Sequence, residues 1–388
     1  MSVLIEKDSQ YIAHTYGRFP VSVLSGKGSE VYDEEGKRYI DLTSGIGVTS
    51  FGICDELWVA AVTEQLAKVQ HMSNLFYTKP CVDLAEMLCQ KTGMKKVFFC
   101  NSGAEANECA VKVARKYAAE KKGSDFFTIV TLQNSFHGRT LTTLSATGQD
   151  HYHELFQPLT PGFVYTPAND IAALEQTLES VKAAALLIEC IQGEGGVQVL
   201  EPAFVQKAAE LCKEKDILLM VDEVQTGNGR TGKLYAYMNY GIVPDVVTTD
   251  KGIGGGLPLG AALLSEKVEN VLGKGDHGST FGGNPIACAG ACSIISRLTD
   301  EFLSEVENKG KLVFAALTGA KGIEAVTGMG LMVGLKTTKS ASEVVNECLK
   351  RGVMCLTAKE KVRLLPALNI GTELLEEALQ VIKAVCGE

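Results

Sequence analysis

The sequence lacks an excess of basic residues, a long apolar run and an export signal at its start. Lys and Arg number 37 against 46 Asp and Glu, and this net charge of −9 argues against a broad surface for nucleic acid, whose phosphates need neutralising. The apolar run at 183–188 is far shorter than the roughly 18–20 residues of a membrane span. The opening MSVLIEKDSQ carries Glu6 and Asp8 instead of a basic and then apolar signal segment. We therefore expect a cytoplasmic protein with no nucleic-acid and no membrane partner.

Paired cysteine motifs are also missing. The 12 cysteines include no Cys-x-x-Cys pair, and none has a histidine at metal-ligand spacing, so we expect no zinc or other metal site. Several lie in apolar strings such as KVFFC at 96–100, which is typical of small buried side chains in a reducing compartment. A disulfide framework is therefore not expected.

Short apolar runs alternate with helical patterns along most of the chain. Its 388 residues, 46% of them hydrophobic, are enough for two to three globular domains. Runs at 126–132, 183–190, 217–224 and 244–250 predict strands buried on both faces, and 104–122 and 202–215 predict helices. Such alternation is typical of an α/β fold with a mostly parallel sheet.

The pattern changes near residue 285. Long helical stretches are predicted at 285–298, 301–320, 340–351 and 372–385, with short strands between them. We therefore predict an N-terminal segment at 1–55 that packs with the small domain, a large domain at 56–284 and a smaller C-terminal α/β domain at 285–388.

The segment DEVQTGNGRTGK, 222–233, directly follows one of the predicted buried strands. Acidic residues there would lie at the carboxyl edge of the sheet, where open α/β sheets bind ligands. Positions 227–233 also match the phosphate loop of nucleotide hydrolases, GxxxxGK, but Leu234 replaces the magnesium-binding Ser or Thr. The acidic pair and Gln225 also separate the glycines from the strand. A nucleotide hydrolase is therefore a weaker hypothesis for this segment than a ligand site at the carboxyl edge of the sheet.

Three further segments carry groups that could bind a phosphorylated ligand. Lys251 stands between a predicted strand and a run of glycines, where desolvation favours the neutral, nucleophilic amine. In NSGAE, 101–105, a strand meets a helix whose first backbone N–H groups could bind a phosphate. In NSFHGRT, 134–140, Phe136 offers an aromatic face and Arg139 a cation. Taken singly, each has a plain structural explanation, as a loop lysine, a helix cap, a core ring or a surface charge.

Together these groups specify one cofactor. Pyridoxal 5′-phosphate needs a phosphate site, an aromatic platform, a carboxylate for its ring nitrogen and a lysine for its aldehyde. The sequence supplies candidates for all four.

The chain also resembles the class III aminotransferases, a pyridoxal-phosphate-dependent family, over nearly its whole length. The resemblance lies in the order and spacing of these segments: TYGRFPV (15–21), YIDLTSGIGV (39–48), NSGAEANE (101–108), FHGRTLTTLSATGQ (136–149), ECIQGEGGV (189–197), DEVQTGNGRTGKL (222–234), KGIGGGLPLGA (251–261), GSTFGGNP (278–285) and VRLLPALN (362–369). It implies the fold of that family, in which a large domain with a mostly parallel seven-stranded sheet is joined to a smaller α/β domain.

The resemblance also implies roles for individual residues. Lys251 would hold the cofactor's aldehyde as a Schiff base and move the proton between substrate and cofactor, and Asp222 would pair with the ring nitrogen. The other implied cofactor contacts are Ser102, Gly103 and Ala104 at the phosphate with Thr280 of a partner subunit, Phe136 and Val224 on the ring faces, and Gln225 at the phenolic oxygen. The protein would therefore be a homodimer with shared active sites.

Two arginines would select the substrates. Arg139, assisted by Ser279, would bind the carboxylate of the amino donor, and Arg363 the α-carboxylate of 2-oxoglutarate or glutamate. Glu194 would act as a gate that pairs with Arg363 while the donor is bound. The implied reaction, a step of arginine biosynthesis, moves the terminal amine of N2-acetyl-L-ornithine to 2-oxoglutarate and gives N-acetyl-L-glutamate 5-semialdehyde and L-glutamate. Ornithine, 4-aminobutyrate, succinylornithine and succinyldiaminopimelate stay open as alternative donors.

The sequence departs from the family pattern at three places. Ala104 replaces a common Thr or Ser, FGIC at 51–54 replaces a histidine-containing loop, and Asp250 stands beside the lysine where a small residue is frequent. Of these, Asp250 is the most able to change the protonation of Lys251.

Overall fold

The computed structural model describes residues 3–388, which form 17 strands and 12 helices. In chain order the strands are β1 Val23–Lys27, β2 Glu30–Asp33, β3 Arg38–Asp41, β4 Lys96–Cys100, β5 Thr128–Leu132, β6 Phe163–Thr166, β7 Ala183–Ile188, β8 Ile191–Gln192, β9 Gln198–Val199, β10 Leu218–Asp222, β11 Val246–Thr249, β12 Gly260–Leu264, β13 Ile323–Met329, β14 Met332–Thr337, β15 Val353–Met354, β16 Leu356–Ala358 and β17 Lys361–Leu364. The helices are α1 Val3–Tyr11, α2 Ser44–Gly47, α3 Glu56–Leu66, α4 Lys79–Thr92, α5 Gly103–Lys121, α6 Leu141–Ala146, α7 Ile171–Ser180, α8 Pro202–Glu214, α9 Pro285–Arg297, α10 Asp300–Leu317, α11 Ala341–Lys350 and α12 Thr372–Gly387.

A seven-stranded sheet in the order β4-β12-β11-β10-β7-β5-β6 forms the centre of the molecule. Strands β11, β10, β7, β5 and β6 run parallel, and β12 is antiparallel to both β11 and β4. Every residue of β7, β10 and β11 is buried, because helices cover both faces of a parallel sheet. The predicted α/β fold is confirmed.

The direction of these strands concentrates their carboxyl ends at one edge. Two antiparallel pairings separate β4 from β11, so β4 points the same way as the parallel strands. The segments that follow β4, β5, β7, β10 and β11 therefore emerge side by side. They include the predicted NSGAE, NSFHGRT, DEVQ and Lys251 segments.

Smaller sheets connect the two ends of the chain. Strand β3 pairs in parallel with β15, with Ile40 opposite Val353, in a sheet ordered β1-β2-β3-β15. A second small sheet, β13-β14-β17-β16, carries Arg363 on β17. The first strands of the chain thus share a sheet with a C-terminal strand, while the exact domain boundaries stay predictions.

The DEVQTGNGRTGK segment packs against the C-terminal part of the chain. After β10 the chain continues through turns and a 3₁₀ turn at Ala236–Tyr240, with no α-helix before α9 in the described chain. A phosphate loop requires a helix directly after its glycines, so the nucleotide-hydrolase hypothesis is wrong. Arg230, only 2% exposed, instead donates through Nη1 to the backbone oxygens of Leu331 at 3.1 Å and Pro366 at 2.5 Å.

All 12 cysteines are free, and eight of them are buried. Between residues 3 and 388 there is no cluster of three or more His, Cys, Asp or Glu that could hold a metal ion. Over the same described range, no helix combines the length and apolarity needed to cross a bilayer.

Replacing Arg230 is expected to destabilise the fold. In Arg230→Met the buried oxygens of Leu331 and Pro366 lose their donor. Each buried oxygen left without a hydrogen bond lowers the stability of the fold by about 1–3 kcal/mol. We expect the free energy of unfolding, measured by urea titration, to fall by about 2–4 kcal/mol. Lys233→Met, at an exposed position of the same segment, is the control and should change it by less than about 0.5 kcal/mol. Equal midpoints for the two variants would contradict this account.

Candidate active site

Asp222, the last residue of β10, is held by a buried hydrogen-bond network. Its Oδ2 accepts from Asn107 Nδ2 at 2.8 Å and lies 2.8 Å from His137 Nδ1, and its Oδ1 accepts from the backbone of Val224 at 3.0 Å. Asn107, on α5, is itself fixed by the Thr248 hydroxyl at 2.7 Å. Asp222 is 4% exposed and pairs with no lysine or arginine in the described chain. A protonated ring nitrogen would supply the cation that this carboxylate lacks.

Lys251 follows β11 across Asp250 at the same edge. It is half-buried, in a short 3₁₀ turn, with a left-handed φ of 45°. Asn228 holds the preceding backbone, donating through Nδ2 to the oxygen of Asp250 at 3.1 Å. This strained, buttressed backbone fixes where the lysine side chain begins.

The NSGAE segment is a helix start, as predicted. The Ser102 side chain caps α5 by accepting from the backbone of Glu105 at 3.2 Å. The N–H of Gly103, however, donates to Asp250 Oδ2 at 2.8 Å. Burial raises the pKa of Asp250. The Gly103 N–H, which the resemblance assigns to the cofactor phosphate, therefore also binds Asp250, a residue that departs from the family pattern.

Close approaches shape the space around this helix start. A Cβ on Gly103 would lie 2.7 Å from a methyl of Val224, and a Cβ on Gly193 would lie 2.2 Å from Oε1 of Gln225. At Gly103 a larger residue would meet the branched Val224 side chain, whereas at Gly193 it would displace the flexible end of Gln225. The backbone amides of α5, the Val224 side chain and the Asp222 carboxylate together match the phosphate, ring face and ring nitrogen of pyridoxal phosphate.

Arg363 is buried and paired. Its Nη1 lies 2.5 Å from Glu194 Oε1 and 3.0 Å from Gln225 Oε1, and its side chain is 4% exposed. Its Nε has no hydrogen-bond partner within residues 3–388. Burial by itself would raise the pKa of Glu194, but the charge and hydrogen bond of Arg363 lower it below its ordinary value. Glu194 therefore stays ionised at neutral pH.

Arg139 is exposed and stacks on aromatic rings. Its guanidinium carbon lies 5.4 Å from the centroid of Phe136 and 4.3 Å from that of Tyr152. The backbone N–H of Phe136 donates to Glu189 Oε2 at 3.0 Å, which fixes the Phe136 ring relative to the end of β7. Burial, followed by the charge of Asp222, raises the pKa of Glu189 well above its ordinary value.

Ser279 and Thr280 lie on a loop beside the start of α5. Ser279 Oγ accepts from Asn101 Nδ2 at 3.1 Å, and Thr280 is exposed. Within this one chain no hydrogen bond of Thr280 to the Ser102–Ala104 segment is present among the described residues.

Sequence reasoning missed several members of this site. Asn107, His137, Glu189 and Tyr152 had no predicted role, although the first three lie inside segments that carry the family resemblance. The position of Asn107 one turn into α5 is a signal that could have been used, since it faces the sheet together with Gly103. The Tyr152 contact had no comparable signal, because it depends on how two loops fold together.

Fold and site define an aminotransferase of the pyridoxal-phosphate type, and comparison with known proteins identifies the family. The class III aminotransferase model matches residues 11–386. The chain belongs to this family, whose cofactor is pyridoxal 5′-phosphate.

The chain is similar to acetylornithine and ornithine aminotransferases within this family. The chain is 49% identical to acetylornithine aminotransferase of Haemophilus ducreyi over 98% of both chains. It is 41% identical to that of Methanocaldococcus jannaschii, covering 99% of this chain and 98% of the relative. Among solved structures, N-acetylornithine aminotransferase of Stenotrophomonas maltophilia matches with a TM-score of 0.85, 34% identity and 98% coverage of both chains. Ornithine aminotransferase of Toxoplasma gondii, crystallised with partial occupancy of pyridoxal phosphate, matches with a TM-score of 0.94, 32% identity, and coverage of 99% and 94%.

Proposed function

We propose that this protein transfers the terminal amino group of N2-acetyl-L-ornithine to 2-oxoglutarate, as a step of arginine biosynthesis in the cytoplasm. The observation that carries the proposal is a pair of differently held arginines near one sheet edge, Arg363 buried against Glu194 and Arg139 exposed on aromatic rings. The acylated donor is supported by the names of the relatives, and the location by the free cysteines.

The cofactor would be held by the residues of the sheet edge. Pyridoxal phosphate, when bound, draws electron density from the substrate carbon and carries the amino group from donor to acceptor. Asp222, oriented by Asn107 and His137, would hold the proton of the ring nitrogen. Lys251 would bind the cofactor and move the substrate proton. Ser102, Gly103 and Ala104 would hold the phosphate, with Phe136, Val224 and Gln225 around the ring.

The arginines would then sort two substrates of different shape. Arg139, with Ser279, would bind the carboxylate of the amino donor. Arg363 would bind the α-carboxylate of glutamate or 2-oxoglutarate only when Glu194 moves away, because a paired guanidinium has fewer free donors. One site could thus accept a terminal amine in one half of the reaction and an α-amine in the other.

The donor is tested with a panel of amines. We expect N2-acetyl-L-ornithine to give the highest kcat/KM with 2-oxoglutarate, ahead of ornithine, 4-aminobutyrate, succinylornithine and succinyldiaminopimelate. Ornithine is the second candidate, favoured by the higher TM-score to an ornithine aminotransferase. Borohydride should fix the cofactor onto the wild-type protein but not onto Lys251→Ala. A clear preference for free ornithine, or transamination by Lys251→Ala, would contradict the proposal.

The gate is tested at Glu194. Glu194→Gln removes the charge that pairs with Arg363, a hydrogen bond to a charged group worth about 1.5–3 kcal/mol. We expect kcat/KM for glutamate, relative to that for the donor, to rise by about tenfold in single-turnover half-reactions. Glu360→Gln, at an exposed turn before β17, is the matched control. An unchanged ratio in Glu194→Gln would argue against a gate.

We also propose a homodimer with shared active sites. Exposed apolar side chains form a patch around the loop between α3 and α4, where Leu75 is 88% and Tyr77 100% exposed, and Phe281 at 61% lies next to Thr280. Such a patch is typical of a protein interface. Asn74 ties the two loops together by donating to the backbone oxygens of Ser279 and Gly282, each at 2.9 Å. Thr280 would reach the cofactor phosphate of the partner.

Charge in the patch should separate the subunits. Tyr77→Asp places an unpaired carboxylate in the proposed interface, so we expect a monomer by light scattering after size exclusion, with activity reduced at least tenfold. Val243→Asp, at a position 82% exposed elsewhere on the surface, should stay dimeric and active. A dimeric Tyr77→Asp protein, or a fully active monomer, would count against the shared site.

A further inference from the structure

The Arg139 guanidinium lies over two aromatic rings, those of Phe136 and Tyr152. It makes no hydrogen bond and no ion pair with any residue in the described range 3–388. Its guanidinium carbon is closer to the Tyr152 ring, 4.3 Å from the centroid, than to Phe136 at 5.4 Å. Both distances are within the roughly 6 Å over which a ring attracts a cation. The closer contact belongs to a residue outside the predicted site.

Stacking suits an arginine that must bind an anion. An aromatic ring attracts the face of a guanidinium, and the N–H donors lie in the guanidinium plane, so such a contact leaves the donors free for an anion. A salt bridge would use those donors, as Glu194 does at Arg363. A ring therefore restricts the arginine without competing with a carboxylate, and less side-chain freedom is lost when substrate binds.

The Tyr152 ring is held in place by its own segment. The backbone N–H of Tyr152 donates to Gln149 at 3.1 Å, and Gln149 Nε2 donates to the backbone oxygen of Ser135 at 3.0 Å. Next to it, the N–H of Asn134 donates to Gly148 at 2.7 Å. The ring also lies edge-on to Phe136, with centroids 5.9 Å apart and planes at 70°. The platform and the arginine are thus anchored to the same strand end.

We propose that Tyr152 is a specificity-determining residue that positions Arg139 for the carboxylate of the amino donor. The inference rests on the proposed role of Arg139 and adds a partner to it. Tyr152 acts through Arg139 and takes no part in proton transfer. Its effect should therefore depend on whether the donor carries a carboxylate.

The test compares two donors that differ only in that group. N2-acetyl-L-ornithine and N-acetylputrescine share the acetyl group and the terminal amine, but the second has hydrogen in place of the carboxylate. In Tyr152→Leu, which removes the ring, we expect kcat/KM for N2-acetyl-L-ornithine to fall about tenfold, mostly through a higher KM. For N-acetylputrescine the change should stay within about twofold. Tyr152→Phe keeps the ring and should restore the preference for the carboxylated donor.

A double-mutant cycle separates positioning from a general structural role. In an Arg139→Met background, Tyr152→Leu should have no further effect on the ratio of the two kcat/KM values. Equal losses on both donors, an unchanged preference in Tyr152→Leu, or additive effects in the cycle would overturn the inference.

A wrong assignment of the donor would give a different result from a wrong role for Tyr152. If the wild-type protein prefers another carboxylated amine, the same comparison applies to that amine and its decarboxylated analogue, and the inference survives. If the wild-type protein is indifferent to the carboxylate, the role of Arg139 is wrong, and the inference falls with it.

Discussion

The structure depends on the hydrogen bonds that a buried carboxylate, Asp222, receives at the end of a central strand. Asp222 lies in a sheet whose neighbouring strands are wholly buried, where a polar group without partners would be strongly destabilising. Asn107 on α5 and His137 after β5 supply the partners, and Thr248 on β11 fixes Asn107. One hydrogen-bond network therefore joins β10, β11, α5 and the Phe136 loop. The same contacts that stabilise the carboxylate also bring the helix start and the aromatic platform beside it.

Elements with a local cause could be predicted from the sequence. A small hydroxyl residue directly before a helical pattern predicts a cap at Ser102, and Ser102 caps α5. The sequence predicts Asp222 at the carboxyl edge of the sheet and Lys251 just after another buried strand. The structure makes these two strands, β10 and β11, parallel neighbours. In both cases the information lies within a few residues of the position concerned.

The remaining site depends on contacts between distant parts of the chain. Asn107 and Asp222 are separated by 115 positions, and Arg363 meets Glu194 across 169. Neither composition nor periodicity encodes such pairs, and for Arg363 and Glu194 only the family resemblance suggested the contact. In the GNGRTGK stretch, by contrast, a local pattern suggested a site that the structure does not have. Its spacing imitates a phosphate loop, but Arg230 turns inward to backbone oxygens of the C-terminal part, which a local pattern cannot reveal.

Asp250 brings the two kinds of information together. The sequence marks it as a departure, and the structure shows what it contacts, the Gly103 N–H at the start of α5. A carboxyl in that place competes with a phosphate for the same donor. Because burial raises the pKa of Asp250, its protonated form becomes more accessible than for an exposed aspartate. A protonated Asp250 could stay beside the phosphate without repelling it, so phosphate binding and protonation of this residue should be linked.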